Sequence, residues 1–183
     1  NIYSRYMKPN VDEFVEKMNM LENAEDGIAF STGMAAIFAS MAGLLKAGDH
    51  IVASNALFGS CIQILTKITS KWGIECTFVP GADINAWKAA IKPNTKFLFC
   101  ESPSNPGLEL IDLKALAALK EGKEMILAVD NCFATPILQT PLDLGADLVI
   151  HSATKYIDGQ GRVLGGVICG KKVYIDEIRF FAR

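Results

Sequence analysis

Residues 125–131 have the sequence MILAVDN, an uninterrupted apolar run that ends in Asp130-Asn131. A short run that is apolar at consecutive positions is typical of a strand buried on both faces of a parallel sheet. In such sheets, ligands bind beyond the carboxyl ends of the strands. The segment therefore predicts an α/β fold with polar residues at a strand end, where a binding site is expected.

Apolar runs of the same kind recur on both sides of this segment, and helical patterns separate them. Strands are predicted at 28–30, 51–53, 74–79, 96–100, 125–130, 148–151 and 167–169. Helices are predicted from Asn10 to Leu21, after Gly33 to Leu45, at 60–71, 84–91 and 113–120, and from Val173 onward. Strands that alternate with helices indicate a three-layer α/β architecture with a mainly parallel sheet.

Composition narrows the class of protein. The chain has 183 residues, 50% of them hydrophobic, with 18 Lys and Arg against 20 Asp and Glu, which gives a net charge of −2. The high apolar fraction excludes a disordered chain. A net charge of −2 gives no indication of binding to nucleic acid or to an anionic membrane surface. This length suits one domain or part of a longer protein, and because the chain begins without Met and stops at Arg183, just after an apolar helical pattern, we expect a piece of a longer protein.

Cysteine and histidine usage points to a reducing compartment. The five cysteines are odd in number and widely spaced, no CxxC pair occurs, and His50 and His151 lie far apart, so we expect neither a disulfide framework nor a metal site. The 19 uncharged residues from Gly27 to Leu45 contain several Ser, Thr and Gly, which favours a strand, a turn and a buried helix over a membrane span. With no signal peptide pattern, we expect a cytoplasmic protein.

Three strand ends carry residues suited to one kind of chemistry. Thr32-Gly33-Met34 lies between a strand and a helix, where backbone amides favour an anion, although a plain helix cap gives the same pattern. Lys155 follows an apolar strand and would be an amine nucleophile if partly desolvated, or a solvent-exposed lysine otherwise. Asp130 would be a buried carboxylate that needs a cation such as a protonated ring nitrogen, or a surface turn aspartate. Together, an amine, an anion cradle and a buried carboxylate meet the needs of pyridoxal phosphate.

Several motifs in register resemble the Cys/Met-metabolism family of pyridoxal-phosphate enzymes, and the resemblance runs essentially from end to end of the chain. The matching segments are Tyr3-Ser4-Arg5, residues 31–36 (STGMAA), residues 101–106 (ESPSNP), residues 130–136 (DNCFATP) and residues 151–156 (HSATKY). The resemblance implies an aspartate-aminotransferase-like (fold type I) large domain. It also implies pyridoxal 5′-phosphate as the cofactor and a small amino acid as the substrate.

The resemblance also implies roles for individual residues. Lys155 would form the Schiff base with the cofactor, and Asp130 would hold its pyridine nitrogen protonated. The phosphate would be bound by Thr32, the Gly33 and Met34 amides, Ser152 and Thr154, the 3′ oxygen would lie near Asn105, and Tyr3 and Arg5 would reach a neighbouring subunit's phosphate.

Phe58 is a departure from most lyases of the family, which carry Tyr there and stack its ring on the cofactor. Phe can stack but has no hydroxyl to transfer a proton. Together with residues 158–162 (DGQGR), Phe58 makes the chain resemble the O-succinylhomoserine sulfhydrylase branch. The implied reaction is γ-replacement on an activated homoserine ester with sulfide, giving homocysteine for methionine biosynthesis.

Other activities stay open at this point. Cystathionine γ-synthase uses cysteine as the nucleophile, the γ-lyases eliminate, and a non-catalytic nucleotide-binding module is an alternative outside the family, although no strand ends in GxGxxG. Relative to the family, residues 1–183 look like the large cofactor-binding domain without the amino-terminal arm and the carboxyl-terminal domain. We expect the full-length protein to be a homodimer or homotetramer, and the piece alone to be weak or inactive.

Overall fold

The computed structural model describes Tyr3, Tyr6 and residues 8–183. Its strands and helices alternate along most of this range. The strands are β1 (Asp26–Phe30), β2 (His50–Ser54), β3 (Glu75–Val79), β4 (Thr95–Glu101), β5 (Ile126–Asp130), β6 (Leu148–Ser152) and β7 (Gly166–Gly170). The α-helices are α1 (Pro9–Glu22), α2 (Gly33–Ala42), α3 (Gly59–Gln63), α4 (Ile84–Ala90), α5 (Leu113–Ala118), α6 (Thr135–Leu138) and α7 (Lys172–Ala182).

The strands form one seven-stranded sheet with the order β1-β7-β6-β5-β4-β2-β3. The neighbours from β6 through β5, β4 and β2 to β3 pair in parallel. β7 pairs antiparallel with both β1 and β6. The predicted α/β class with a mainly parallel sheet is confirmed, and the antiparallel β7 is the exception that the apolar pattern did not reveal.

Two apolar layers cover the sheet, one on each face. On the first face, Ala36, Ile37 and Met41 of α2 and Ile175 and Ile178 of α7 pack on alternate residues of the central strands. On the second face, the partners come from α4, α5 and α1, with Trp87, Leu113, Leu116 and Met18 fully or almost fully buried. Burial of the sheet on both faces explains why its strands are continuously apolar.

Local sequence signals place the helix ends. Pro9 occupies the first turn of α1, and Asn23 ends that helix in the left-handed conformation with φ of 56°. The side chains of Asp83 and Asp112 cap α4 and α5 by accepting backbone N–H groups. α4 and α5 therefore begin where a side chain satisfies backbone N–H groups that have no partner inside the helix.

The boundaries differ from the sequence predictions at a few places. The helix predicted at 60–71 is α-helical only over Gly59–Gln63 and continues as a π-turn at Ile64–Ile68 and a 3₁₀ turn at Thr69–Trp72. The Gly27 to Leu45 segment forms β1 and α2, as predicted. Within the described residues, no helix combines the length and the hydrophobicity needed to cross a membrane.

Candidate active site

The carboxyl ends of the parallel strands bring polar residues to one edge of the sheet. β4 ends at Glu101 and β5 at Asp130, which are register partners. β6 ends at Ser152, which pairs with Gly166 at the start of β7, and Gly166 pairs in turn with Phe30 at the end of β1. The chain leaves β1 at this same edge and enters α2. The edge therefore collects residues from widely separated parts of the sequence.

Two glycines allow the start of α2 to lie directly against the sheet edge. A Cβ on Gly33 would meet the Cβ of Ser152 at 2.5 Å and its Cα at 2.8 Å. A Cβ on Gly166 would meet the carbonyl oxygen of Thr32 at 2.1 Å. Only residues without side chains fit these contacts, so the backbone amides at the start of α2 are held beside Ser152, in an arrangement suited to an anion.

The hydroxyl groups around this cradle have different environments. The Oγ1 atom of Thr32 accepts the N–H of Ala35 at 3.0 Å and caps α2. Ser152 is partly buried at the end of β6. The Oγ1 atom of Thr154 accepts the N–H of Gly165 at 3.1 Å and donates to its carbonyl at 3.3 Å. The Thr154 hydroxyl is thus engaged with the loop backbone, and its role toward a phosphate stays a prediction.

Met34 follows Gly33 in the first turn of α2. Its side chain is partly buried and packs against the apolar layer on the first face of the sheet. The role of the Met34 backbone amide toward a phosphate stays a prediction.

Asp130 is a buried carboxyl group at the end of β5. Only 7% of the residue is exposed, and its Oδ1 atom accepts the N–H of Cys132 at 3.0 Å. Burial raises the pKa of Asp130 to about 6, against smaller opposite effects of the Cys132 amide and His151. Among the residues that the structure describes, Asp130 forms no ion pair. The alternative of a solvent-facing turn aspartate is therefore wrong, and the carboxylate would gain from a cationic partner.

Lys155 lies in a turn rather than at the end of the strand. β6 ends at Ser152, and the N–H of Lys155 donates to the Ser152 carbonyl at 3.0 Å. The Lys155 carbonyl accepts the N–H of Gly159 at 2.8 Å, which closes the turn. The side chain is exposed. The partial desolvation expected from sequence is thus absent in the described chain, and the amine is accessible at the sheet edge.

Glu101 is a site residue to which sequence reasoning assigned no role. It is 3% exposed, and its Oε2 atom accepts the N–H of Phe58 at 2.8 Å. Phe58 precedes α3 and has 45% of its surface exposed. Asn105, partly buried in the loop after β4, contributes a backbone amide that lowers the pKa of Glu101. The signal in the sequence was an acidic residue at the end of an apolar strand, the same signal that identified Asp130.

A buried pair of side chains, His151 and Glu22, lies behind this edge, on the other face of the sheet. The Nε2 atom of His151 lies 2.6 Å from Oε1 of Glu22, and neither side chain is exposed. Asn131 donates to the same Glu22 oxygen at 3.2 Å and to the carbonyl of Gln139 at 2.8 Å. These contacts tie α1, β6 and the segment after β5 together directly behind Asp130. Sequence reasoning did not predict this pair.

The predicted contacts of the amino-terminal residues with a neighbouring subunit are not tested. Tyr3 is exposed and its ring lies 5.8 Å from that of Tyr6. Arg5 lies outside the described residues.

Comparison with known proteins identifies the kind of enzyme to which this edge belongs. The family model described as "Cys/Met metabolism PLP-dependent enzyme" matches residues 1–183. An O-succinylhomoserine sulfhydrylase of Pseudomonas aeruginosa is 51% identical over the whole chain and 45% of its own length. An L-methionine gamma-lyase of Treponema denticola is 42% identical over 98% of the chain and 45% of its own length.

Solved structures agree with the family match. The crystal structure of metB from Corynebacterium glutamicum superposes with a TM-score of 0.96 at 41% identity, covering 98% of this chain and 47% of that one. A cystathionine gamma-lyase from Lactobacillus plantarum, complexed with L-serine, gives a TM-score of 0.94 at 35% identity, with the same coverage of 98% and 47%. The fold is therefore fold type I, and the class is that of pyridoxal-phosphate-dependent enzymes of sulfur amino-acid metabolism. The chain belongs to the Cys/Met metabolism pyridoxal-phosphate-dependent family.

The chain spans slightly less than half the length of these relatives. The family match favours an enzyme over a non-catalytic nucleotide-binding module. It also implies pyridoxal phosphate as the cofactor, and the described residues fit that group. The glycine-lined start of α2 suits the phosphate, the unpaired buried carboxyl of Asp130 suits the ring nitrogen, and the accessible amine of Lys155 suits the aldehyde.

Proposed function

We propose that this chain is the cofactor-binding domain of an enzyme that converts an O-succinylhomoserine-type ester and sulfide into homocysteine and succinate. The observation that supports the cofactor part is the buried carboxyl group of Asp130 at the same edge of the sheet as the glycine-lined start of α2. The substrate part is supported by relatives named O-succinylhomoserine sulfhydrylase at 45–51% identity, against 40–42% for those named gamma-lyases. Phe58, which has no hydroxyl group, supports the same assignment.

When bound, pyridoxal phosphate withdraws electrons from the substrate and so makes the hydrogens at its Cα and Cβ acidic. The start of α2 would hold the phosphate through the amides of Gly33 and Met34, with the hydroxyls of Thr32 and Ser152 as further partners. Thr154 would join them if its hydroxyl left Gly165. These contacts fix the cofactor's position against the sheet edge.

Asp130 would hold the proton on the ring nitrogen of the cofactor. A buried carboxylate without an ion pair is costly, and a cationic nitrogen beside it offsets that cost. Asp130 is therefore ionised in the loaded enzyme, although burial raises its pKa to about 6 in the structure described. Asn105 lies in the loop after β4, and its side chain would contact the 3′ oxygen of the cofactor.

Lys155 would hold the cofactor through its aldehyde, and its amine, when free, would move protons on the substrate. The turn of residues 153–158 holds its backbone, while its exposed side chain keeps the reach needed to serve both Cα and Cβ. Nζ would therefore take the proton from Cα of the substrate and move protons at Cβ, as loss of the ester from Cγ and addition of sulfide there require.

Phe58 would cover the cofactor with an aromatic ring that carries no hydroxyl group. An ester leaves as a stabilised carboxylate that hardly needs a proton, whereas a thiolate is more basic and gains more from an acid. A pocket with Phe at this position therefore suits ester substrates better than thioethers. This argument favours replacement over elimination.

The test is a turnover assay on the full-length protein. O-succinylhomoserine and O-acetylhomoserine are each offered with sulfide and with cysteine, and cystathionine and methionine are offered alone. We expect homocysteine from the succinyl ester and sulfide at the highest kcat/KM. Faster use of cysteine would assign the protein to the cystathionine γ-synthases, and faster cleavage of thioethers to the γ-lyases. We also expect the full-length protein to be a homodimer or homotetramer, which stays a prediction.

A further inference from the structure

Glu101 is a buried carboxyl group that the proposed mechanism does not use. It ends β4 in register with Asp130 on the neighbouring parallel strand, so both side chains project on the same face, about 5 Å apart at their Cα atoms. Only 3% of Glu101 is exposed. Since an unused buried carboxyl group is expensive, its position beside Asp130 calls for a function.

Glu101 accepts hydrogen bonds from two backbone amides, those of Phe58 and Asn105, and the Phe58 contact reaches the segment before α3. The Oε2 atom of Glu101 accepts the Phe58 N–H at 2.8 Å. In the part of the chain that the structure describes, no side chain caps α3, which begins at the next residue. The other end of this segment is held by the strands, since the Asn55 N–H donates to the Val79 carbonyl at 2.8 Å. Glu101 is therefore the link between β4 and the position from which the Phe58 ring projects.

The charge of Glu101 is coupled to that of Asp130. Burial, and then the neighbouring Asp130, raises the pKa of Glu101 to about 7. The other titratable groups around it are the thiols of Cys61 on α3, Cys100 in β4 and Cys132 after β5, and burial raises the pKa of all three, so they stay neutral. When two buried carboxyl groups interact, they share one charge more easily than they hold two.

We propose that Glu101 is a positioning residue: it keeps its proton while Asp130 carries the negative charge, and it anchors the Phe58 backbone so that the ring covers the cofactor. A protonated carboxyl group still accepts hydrogen bonds on its oxygens, so the anchor does not need the charge. The statement about the ring rests on the proposed function. The statements about the proton and the anchor concern the protein without cofactor as well.

The experiment compares Glu101→Gln, which keeps a neutral acceptor, with Glu101→Ala, which removes it, in the full-length protein. The first measurement is hydrogen exchange of the Phe58 amide without cofactor. We expect protection close to that of the unmodified protein in Glu101→Gln and a loss of at least tenfold in Glu101→Ala. If Glu101→Ala fails to fold, Glu101→Asp, whose side chain is one methylene shorter, replaces it. Unchanged protection in the variant that removes or shortens the acceptor overturns the anchor.

The second measurement is the pH dependence of unfolding without cofactor. A carboxyl group with a raised pKa makes the unmodified protein less stable as the pH rises from about 4.5 to about 7. Glu101→Gln should lack this part of the decline. If its curve parallels that of the unmodified protein, Glu101 does not hold a proton.

The third measurement uses the loaded protein and reads the visible circular dichroism of the cofactor together with kcat and KM. Glu101→Gln should retain the dichroism and kcat within about twofold, whereas Glu101→Ala should reduce the dichroism. In a Phe58→Ala background, Glu101→Ala should add little, because it acts through that ring. Additive losses, or a Gln variant as defective as the Ala variant, contradict the positioning role. If no protein binds the cofactor, the proposed function fails, and the first two measurements still decide the proton and the anchor.

Discussion

Replacement of Asp130 by Asn should stabilise the protein without cofactor and impair it with cofactor. Burial raises the pKa of Asp130 from 3.8 to about 6. At 1.36 kcal/mol per pKa unit, that shift corresponds to at most about 3 kcal/mol of stability lost as the carboxyl group ionises. The sign follows from the direction: the folded state binds the proton more tightly, so stability is greatest at low pH and is lost as the pH rises from about 3.8 to about 6.

Asn has the shape of the protonated carboxyl group and does not ionise. It can still accept the Cys132 N–H that Asp130 accepts at 3.0 Å. We therefore expect Asp130→Asn without cofactor to be more stable than the unmodified protein by about 2 kcal/mol at pH 8, with the gap closing toward pH 4. This is the usual conflict between stability and a functional buried charge.

Cofactor should reverse this order. Saturating pyridoxal phosphate should stabilise the unmodified protein more than the Asn variant, because only the former offers a negative charge to the ring nitrogen. Urea unfolding with and without cofactor, at several pH values, measures both effects, and turnover should fall far more than cofactor occupancy. A variant less stable than the unmodified protein at every pH, or one with near-normal turnover, would refute the reasoning.

Two further substitutions test the anion cradle and the ring. Gly33→Ala places a Cβ 2.5 Å from that of Ser152, so it should lower the unfolding free energy by about 1–3 kcal/mol and weaken cofactor affinity. Gly59→Ala is the control, because a Cβ there meets nothing within 4 Å, and it should keep the stability of the unmodified protein. Equal losses in both variants, measured by thermal unfolding, would contradict the close contact of Gly33 with Ser152. Phe58→Tyr supplies a phenolic proton, so the rate of 2-oxobutyrate formation from cystathionine, relative to homocysteine formation from O-succinylhomoserine, should rise about tenfold. If the unmodified protein already cleaves cystathionine faster than it uses the ester, the role given to Phe58 is wrong.

The fold was accessible from sequence because burial on both faces makes each strand continuously apolar. The run at 125–130 and β5 at Ile126–Asp130 differ by one residue. Strand order was not accessible, since the pairing of β1 with β7 joins segments about 140 residues apart. The π-turn at Ile64–Ile68 contains no Gly or Pro that would have indicated it in the sequence.

The sequence predicted site residues where a residue suited to the chemistry follows directly on a predicted strand. Asp130 and Gly33 meet that condition, and their burial and close contacts match the predicted kinds of environment. Glu101 met it too, but its role depends on the contact with Phe58, 43 residues away, which local sequence does not encode. The pairing of Glu22 with His151 spans 129 residues and depends on where α1 packs.

Local sequence also does not determine the exposure and hydrogen bonding of individual side chains at the site. The exposure of Lys155 and the engagement of Thr154 with Gly165 depend on the course of residues 153–165. That course is set by backbone contacts within the loop, such as the Asp158 N–H to the Ala153 carbonyl at 3.0 Å. Residue types alone predicted which side chains are present at this edge of the sheet. The course of the loop decides which of them are exposed and which are hydrogen-bonded to the backbone.

The most direct test of the account is to locate the cofactor on the chain. The full-length protein is incubated with pyridoxal phosphate, reduced with borohydride to fix the bond between aldehyde and amine, digested and analysed by mass spectrometry. We predict one modified lysine, Lys155, loss of the adduct in Lys155→Ala, and its retention in Lys67→Ala, an exposed lysine after α3. An adduct on another lysine, or none in the unmodified protein, would contradict the central claim that this sheet edge is a pyridoxal phosphate site.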